Sequence, residues 1–275
     1  TINPATYFKL EDVGVIAPGK IADIAVIEDL ETMKVEGVFI DGKLVAQKGQ
    51  LLIDLPSYIY PEEVKNSVRR GPITERDLEI KANGSTARVR CIQLIPDQNL
   101  TGKLEETVRV VSGVAQPDVS TDTLLIACIE RYGRNGNIGK AFVKGFGMKE
   151  GAFAESVSHD THNIIVMGTN IRDMVLAVNK VIEMGGGIAI ANRGRILSDM
   201  RLPVGGLITD ELNGHEVSER IAEMERIVKE NLGCKVHGPF MHLSFLSLST
   251  SPEWKITDKG LIDVNNFKVL PPVIE

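Results

Sequence analysis

The chain has 275 residues, more than one compact domain usually holds, so two domains and a sizeable core are expected. Its 31 basic and 37 acidic residues give a net charge of −6 with no basic block to track phosphates, so nucleic acid is not an expected partner. No apolar stretch nears the roughly 18 to 20 residues of a membrane span, and the opening TINPATYFKL lacks the charged and apolar parts of a signal peptide, which points to a soluble cytoplasmic protein with no membrane partner.

Between Asp23 and Leu52, ADIAVIED and KVEGVFIDGKLVAQKGQLL predict short strands, with Asp41-Gly42 as a tight hairpin turn. So few strands are marginally stable unless their apolar face packs on something else, so this region reads as half of a module. Pro56, Pro61 and Pro72, with PEEVKNSVRRGPITERD among them, predict a connector over 57–80 containing one short helix. The expected boundaries are therefore a first region 1–56, the connector, and a second domain 81–275.

That second domain opens with the strand patterns ARVRCIQLI, RVVSGV and TLLIACIERYG, followed by an Asn135-Gly136 turn before KAFVKGFG. NIIVMG predicts a buried strand. The next helix carries Met174, Val175, Val178, Val181 and Ile182 at helical spacing and stops at Gly185, Gly186 and Gly187. GIAIANRGRILSDMRLP returns to the β pattern with a turn at 192–194, and HEVSERIAEMERIVKENLG predicts an amphipathic helix ending at Gly233. The expected fold class is α+β: a partial β-sandwich segment followed by a mixed-sheet α+β domain. Cys91, Cys128 and Cys234 are far apart, odd in number and never in a Cys-x-x-Cys pair, which argues against a disulfide framework and a thiolate zinc site.

The opening NPATYFKLEDVGVIAPGKIADIAVIEDLETMKVEGVFIDGKLV resembles the segment that follows the catalytic barrel in amidohydrolases. On that resemblance, Asn3-Pro4-Ala5 lies in the last barrel helix, while Gly14, PGKIAD and the Asp41-Gly42 turn belong to a β-sandwich. VSHDTHNIIVMGTN, MGGGIAIANRGRI, LPVGGLITDE and LSFLSLSTSPEWKITDKGLIDV resemble segments of the adenine deaminase C-terminal domain. The resemblance implies hydrolysis of adenine to hypoxanthine and ammonia by hydroxide on a divalent metal, manganese or iron, in the complete enzyme. It also implies barrel ligands that include a His-x-His pair. The five histidines here, His159, His162, His215, His237 and His242, contain no such pair. The expectation is a C-terminal part without the metal-binding barrel, inactive alone and itself free of cofactor, whose start at Thr1 is not the natural N-terminus. Its expected partners are adenine in the complete enzyme, the missing barrel and a second copy of the chain. The alternative is a non-catalytic module that binds a purine or another subunit.

Within the chain the densest polar constellation is SHDTHN. Ser158, His159 and Asp160 cannot form a triad, because neighbours on a strand point to opposite faces. Three readings stay open for His159, Asp160, His162 and Asn163: a metal site through the two histidines, a face turned to substrate or barrel, and a hydrogen-bonded turn. In the substrate-facing reading, which the resemblance suggests, His159 or Asp160 exchanges a proton with a ring nitrogen of adenine. Asp210 and Glu211 are candidate carboxylates beside the substrate opening, with a solvated turn as the alternative. The three glycines after a helix read as a C-cap rather than a phosphate loop. Cys128 reads as core, and His237 and His242 as satisfied core or interface histidines.

Overall fold

The computed structural model describes residues 1–56, 58–65 and 67–274, and they form two compact units, Thr1–Ile59 and Tyr60–Glu275. The first unit comprises a helix, α1 (Ile2–Tyr7), and four strands, β1 (Ile24–Asp29), β2 (Lys34–Ile40), β3 (Lys43–Gln47) and β4 (Gln50–Leu51), paired antiparallel in sequence order. The β2–β3 turn is the expected one: Asp41 and Gly42 both have positive φ, 48° and 73°, which matches the twist of the strands they join. Gly14 is required where its segment crosses α1, since a Cβ there would stand 2.6 Å from that of Ala5. This unit has almost no core. Among its described residues only Ala5 and Val45 are buried hydrophobics, while Phe8, Ile16, Val26 and Ile40 are exposed.

The second unit begins with α2 (Glu62–Lys65) and α3 (Glu75–Leu78), two short helices where the sequence predicts one. Thr74 and Asp77 form a capping box that starts the second of them, a signal hidden in the charged connector. There follow β5 (Thr86–Leu94), β6 (Thr101–Val111), β7 (Val114–Ala115), β8 (Leu124–Ile129), β9 (Ile138–Lys144), β10 (Ala152–Glu155), β11 (Ile164–Gly168), α4 (Ile171–Glu183), β12 (Gly187–Asn192), β13 (Arg195–Arg201), α5 (Gly214–Leu232), α6 (Pro239–Phe245), β14 (Trp254–Thr257), β15 (Gly260–Asp263), β16 (Lys268–Leu270) and β17 (Val273–Ile274). The main sheet has the order β13-β12-β10-β11-β8-β9-β5-β6-β7, with β17 added on β5 and β14-β15-β16 forming a separate small sheet. The β5–β9 pairing is parallel and its neighbours are antiparallel, so the sheet is mixed, as the interleaved pattern predicts. Asn135-Gly136 sits in a longer β8–β9 connection, residues 130–137, rather than forming a two-residue turn.

Both faces of the central strands β8, β10, β11 and β12 are covered, which explains their unbroken apolar runs. Leu125, Ala127, Ile164 and Val166 pack under Met174, Ala177, Val178 and Val181 of α4. On the opposite face Ile126, Cys128, Phe153 and Ile165 meet α5, α6 and the small sheet. The two long helices lie where the sequence places them, and the structure supplies their N-caps. Asn170 caps α4 by accepting from the Asp173 amide at 2.8 Å, and Asn213 with Glu216 boxes the start of α5, which Gly233 ends in the left-handed region. The sequence pattern does not reveal α6, because its apolar residues match a strand run equally well; Gly238 and Pro239 start it. Among the described residues no helix is long and apolar enough to cross a membrane.

Phe153 anchors α6 to the sheet, with ring centroids 5.5 Å from Phe240 and 6.3 Å from Phe146 in edge-on geometry. Phe153→Ala is expected to destabilise the second unit by about 3–5 kcal/mol, read as a lowered urea midpoint with an unchanged slope.

Candidate functional site

The antiparallel register brings several loops to one end of the sheet. There β8, β10 and β13 finish and β9, β11 and β12 begin, with Ile129 opposite Ile138 and Ile164, Glu155 opposite Ile165 and Ile188, and Gly187 opposite Arg201. Residues 130–137, 156–163, 184–186 and 202–213 therefore share one rim. The SHDTHN motif is one of these loops.

Its first half is docked on α6. Ser247 Oγ donates to the Ser244 carbonyl at 2.9 Å, so the 2.5 Å contact between Ser158 Oγ and Ser247 Oγ has Ser158 as donor. The His159 amide donates to the Ser244 carbonyl at 3.3 Å, Ser244 Oγ donates to the Val157 carbonyl, and the His159 ring stacks on Phe245 at 5.2 Å. Behind Phe245, Lys255 is fully buried. Its ammonium donates to the carbonyls of Phe245, at the C-terminal end of α6, and Asn99, and burial pushes its pKa down to about 8. The loop closes through the His162 amide, which donates to the Ser158 carbonyl at 2.6 Å. His159 and Asp160 stand at the apex, their side chains 32% and 66% exposed and 3.6 Å apart, beyond hydrogen-bond distance.

The second half is held by Arg131, 1% exposed, whose Nε donates to the His162 carbonyl. The Arg131 amide donates to Asn163 Oδ1 at 3.4 Å, a weak contact. Tyr132 adds a hydroxyl that donates to the Thr161 carbonyl at 2.7 Å. Two polar groups nearby are buried without a full set of partners: Glu155 Oε1 and His162 Nδ1. Burial, with nothing to offset it, raises the Glu155 pKa well above the ordinary carboxylate range and favours the protonated carboxyl. Burial, reinforced by His159 and Arg131 against the pull of Asp160, lowers the His162 pKa and favours the neutral ring.

The other sequence-predicted candidates lie elsewhere on this rim or away from it. Asp210 pairs with Lys65 at 2.6 Å and Glu211 pairs with Arg201, both in the turn before α5. The amides of Gly185 and Gly186 are taken by helix carbonyls and that of Gly187 by Ser156 Oγ, leaving none for an anion. His242 is satisfied at both nitrogens, by the Asp97 amide and the Gly238 carbonyl, while His237 is exposed. His159 and His162 have ring centroids 5.7 Å apart, yet among the described residues no group of three or more His, Cys, Asp or Glu could hold a metal. Sequence reasoning missed Arg131 and Glu155, although each is a charge embedded in an apolar run, CIERYG and AFAESV.

Residues 1–45, in the first unit, match the model of the amidohydrolase family. The chain belongs to the adenine deaminase C-terminal domain family, whose model matches residues 98–268. "Adenine deaminase 1" of Carboxydothermus hydrogenoformans is 67% identical over 99% of this chain and 45% of its own length. "Adenine deaminase" of Kosmotoga olearia is 43% identical over 97% and 46%, and that of Dehalococcoides mccartyi 41% over 98% and 47%. The chain spans about half the length of the curated relatives it matches. The resemblance read from SHDTHN, LPVGGLITDE and the opening segment is borne out at the level of the family.

Glu155→Gln keeps the shape of the side chain and removes its ionisation. Folded Glu155 holds its proton above the ordinary value of 4.5, so its contribution to stability is complete below pH 4.5 and is lost as pH rises towards the folded value. Urea midpoints measured from pH 4 to 8 are expected to fall for the wild type relative to E155Q across that range. A gap that does not change with pH overturns the assignment.

Proposed function

We propose that this chain is the C-terminal part of an adenine deaminase that hydrolyses adenine to hypoxanthine and ammonia, in purine salvage in the cytoplasm, once it is joined to a metal-binding barrel. The observation that carries this reading is the unfinished first unit. A helix and a four-stranded sheet with two buried hydrophobics among the described residues, beside an apolar groove of about 530 Å³ lined by Phe8, Leu10, Ile16, Ile21 and Ile24, form a surface that needs a covering. In this proposal residues 1–56 complete a β-sandwich whose other strands are supplied by the barrel half, 57–80 connect, and 81–275 form the C-terminal domain. The metal, manganese or iron, belongs to the barrel, and bound there it supplies the activated water. A second copy of the chain covers part of the remaining apolar surface.

The part played by this chain centres on the 156–163 loop. It is docked on both sides, with His159 half-buried and Asp160 and Thr161 exposed, so His159 and Asp160 are held out in one arrangement, His159 by the Phe245 stack. Turned towards adenine, His159 or Asp160 can give or take a proton at a ring nitrogen, while the neutral His162 and protonated Glu155 add no competing charge. Asp210 and Glu211, each neutralised by a cation, shape the neighbouring turn.

Adenine turnover, followed by ammonia release with manganese or ferrous iron added, is expected to be absent for this chain alone and present when it is joined to a barrel half. Metal-dependent turnover by the chain alone overturns the reading. Adenine binding by the chain alone, with no turnover when the barrel is joined, favours a non-catalytic module. In the joined protein, His159→Ala and Asp160→Ala are expected to lower kcat by about a hundredfold while leaving the thermal midpoint within a few degrees. Loss of stability at unchanged specific activity in the soluble fraction assigns the loop a structural role instead.

A further inference from the structure

Arg131 is a fully buried guanidinium with no acidic partner among the described residues. The carboxylate next to it, Glu130, is directed elsewhere: Oε1 accepts from the Tyr132 amide at 2.7 Å, and Oε2 from those of Arg134, Asn135 and Gly136 at 3.2, 3.5 and 3.2 Å. Arg131 instead donates to three segments far apart in sequence. Nη1 reaches Ser67 Oγ at 2.6 Å in the connector, Nη2 the Gly205 carbonyl at 2.7 Å in the loop before α5, and Nε the His162 carbonyl. Its carbon lies 4.6 Å from the centroid of the Tyr132 ring, whose hydroxyl accepts from Nη2 at 3.3 Å and donates to the Thr161 carbonyl. Gly206 is moulded to it, with φ 73°, and a Cβ there would stand 2.7 Å from Nη1.

A buried charge without a counter-ion is costly, and neutral acceptors offset that cost only if the donor geometry suits all of them at once. The planar fork of arginine, with donors in fixed directions, does so; a lysine offers a point charge and an apolar side chain offers nothing. The arrangement therefore selects arginine for geometry. The 156–163 loop has two anchors, α6 at one end and Arg131 with Tyr132 at the other, and His159 and Asp160 lie between them.

We infer that Arg131 is the positioning residue of the deaminase rim: by holding the His162 carbonyl, and through Tyr132 that of Thr161, in register with the Gly205 loop and the connector, it sets where His159 and Asp160 stand over the purine. This rests on the proposal that the loop faces substrate, and it adds a residue that touches no substrate itself. Chemistry at the apex then depends on a group buried behind it.

The test uses the chain joined to its barrel, with adenine as the substrate. Arg131→Lys keeps the charge and loses the fork, and is expected to lower kcat for adenine ten- to a hundredfold with KM changed less than threefold. Because Arg131 acts through the apex, Arg131→Lys combined with His159→Ala is expected to be no worse than the poorer single variant within about threefold. Tyr132→Phe removes only the hydroxyl that holds Thr161; it carries the test if Arg131→Lys does not fold, with an expected three- to tenfold loss in kcat at an unchanged thermal midpoint. A costly His159→Ala beside Arg131→Lys and Tyr132→Phe variants that match the wild type overturns the inference alone, as does a double variant equal to the product of the singles. His159→Ala and Asp160→Ala that both match the wild type overturn the substrate-facing reading and this inference with it.

Discussion

In the second unit the main sheet is buried on both faces, and most of what is distinctive about the chain follows from that burial. The strands β8, β10, β11 and β12 are buried on both faces, so apart from Glu155 and Asn192 at their ends they consist of small and apolar residues. Side chains able to do chemistry are displaced to the strand ends. The register then decides which ends coincide, and four chain segments spread over residues 130–213 meet at one rim. A slip by one residue in β10 or β11 would turn Phe153 and Ile165 out of their core and Glu155 away from its place, so the core and the rim are specified together.

Electrostatics at the rim are organised around keeping charge out of the interior wherever no partner exists. Glu130 stays ionised because four backbone amides point at it, whereas Glu155, with none, is driven to the protonated form. His162 is driven to the neutral form by burial and by the guanidinium beside it. Arg131 cannot lose its proton at any ordinary pH and so must be solvated by carbonyls and hydroxyls, which is why it binds three loops together. The two neutralised groups and the one retained charge are results of the same desolvation, resolved differently by the acid–base range of each side chain.

The first unit shows the opposite situation. Its strands pair and its turns are well formed, yet local pairing does not supply a core, and Ile16, Phe8 and Leu30 remain in solvent. Residues 1–45, which hold the helix and most of this sheet, are the part that matches the amidohydrolase family.

Sequence alone determined the elements whose signals are local: the Asp41-Gly42 turn, the two long helices, the stop at Gly233, the apolar strands, and the α+β class with its mixed sheet. It also singled out His159, Asp160, His162 and Asn163, because polar residues entering a buried strand stand out, and the family, because ordered motifs such as SHDTHN and LPVGGLITDE are specific. Helix α6 and the second connector helix escaped it, since short apolar or charged runs satisfy either periodicity. Tertiary structure alone decided that Arg131 binds residues 67, 162 and 205, that Glu155 Oε1 finds no hydrogen-bond partner among the described residues, and that the glycine amides after α4 are already used. Those facts depend on which strand ends share an edge of the sheet, and hydrogen-bond partners brought together by long-range register leave no periodic trace in the chain.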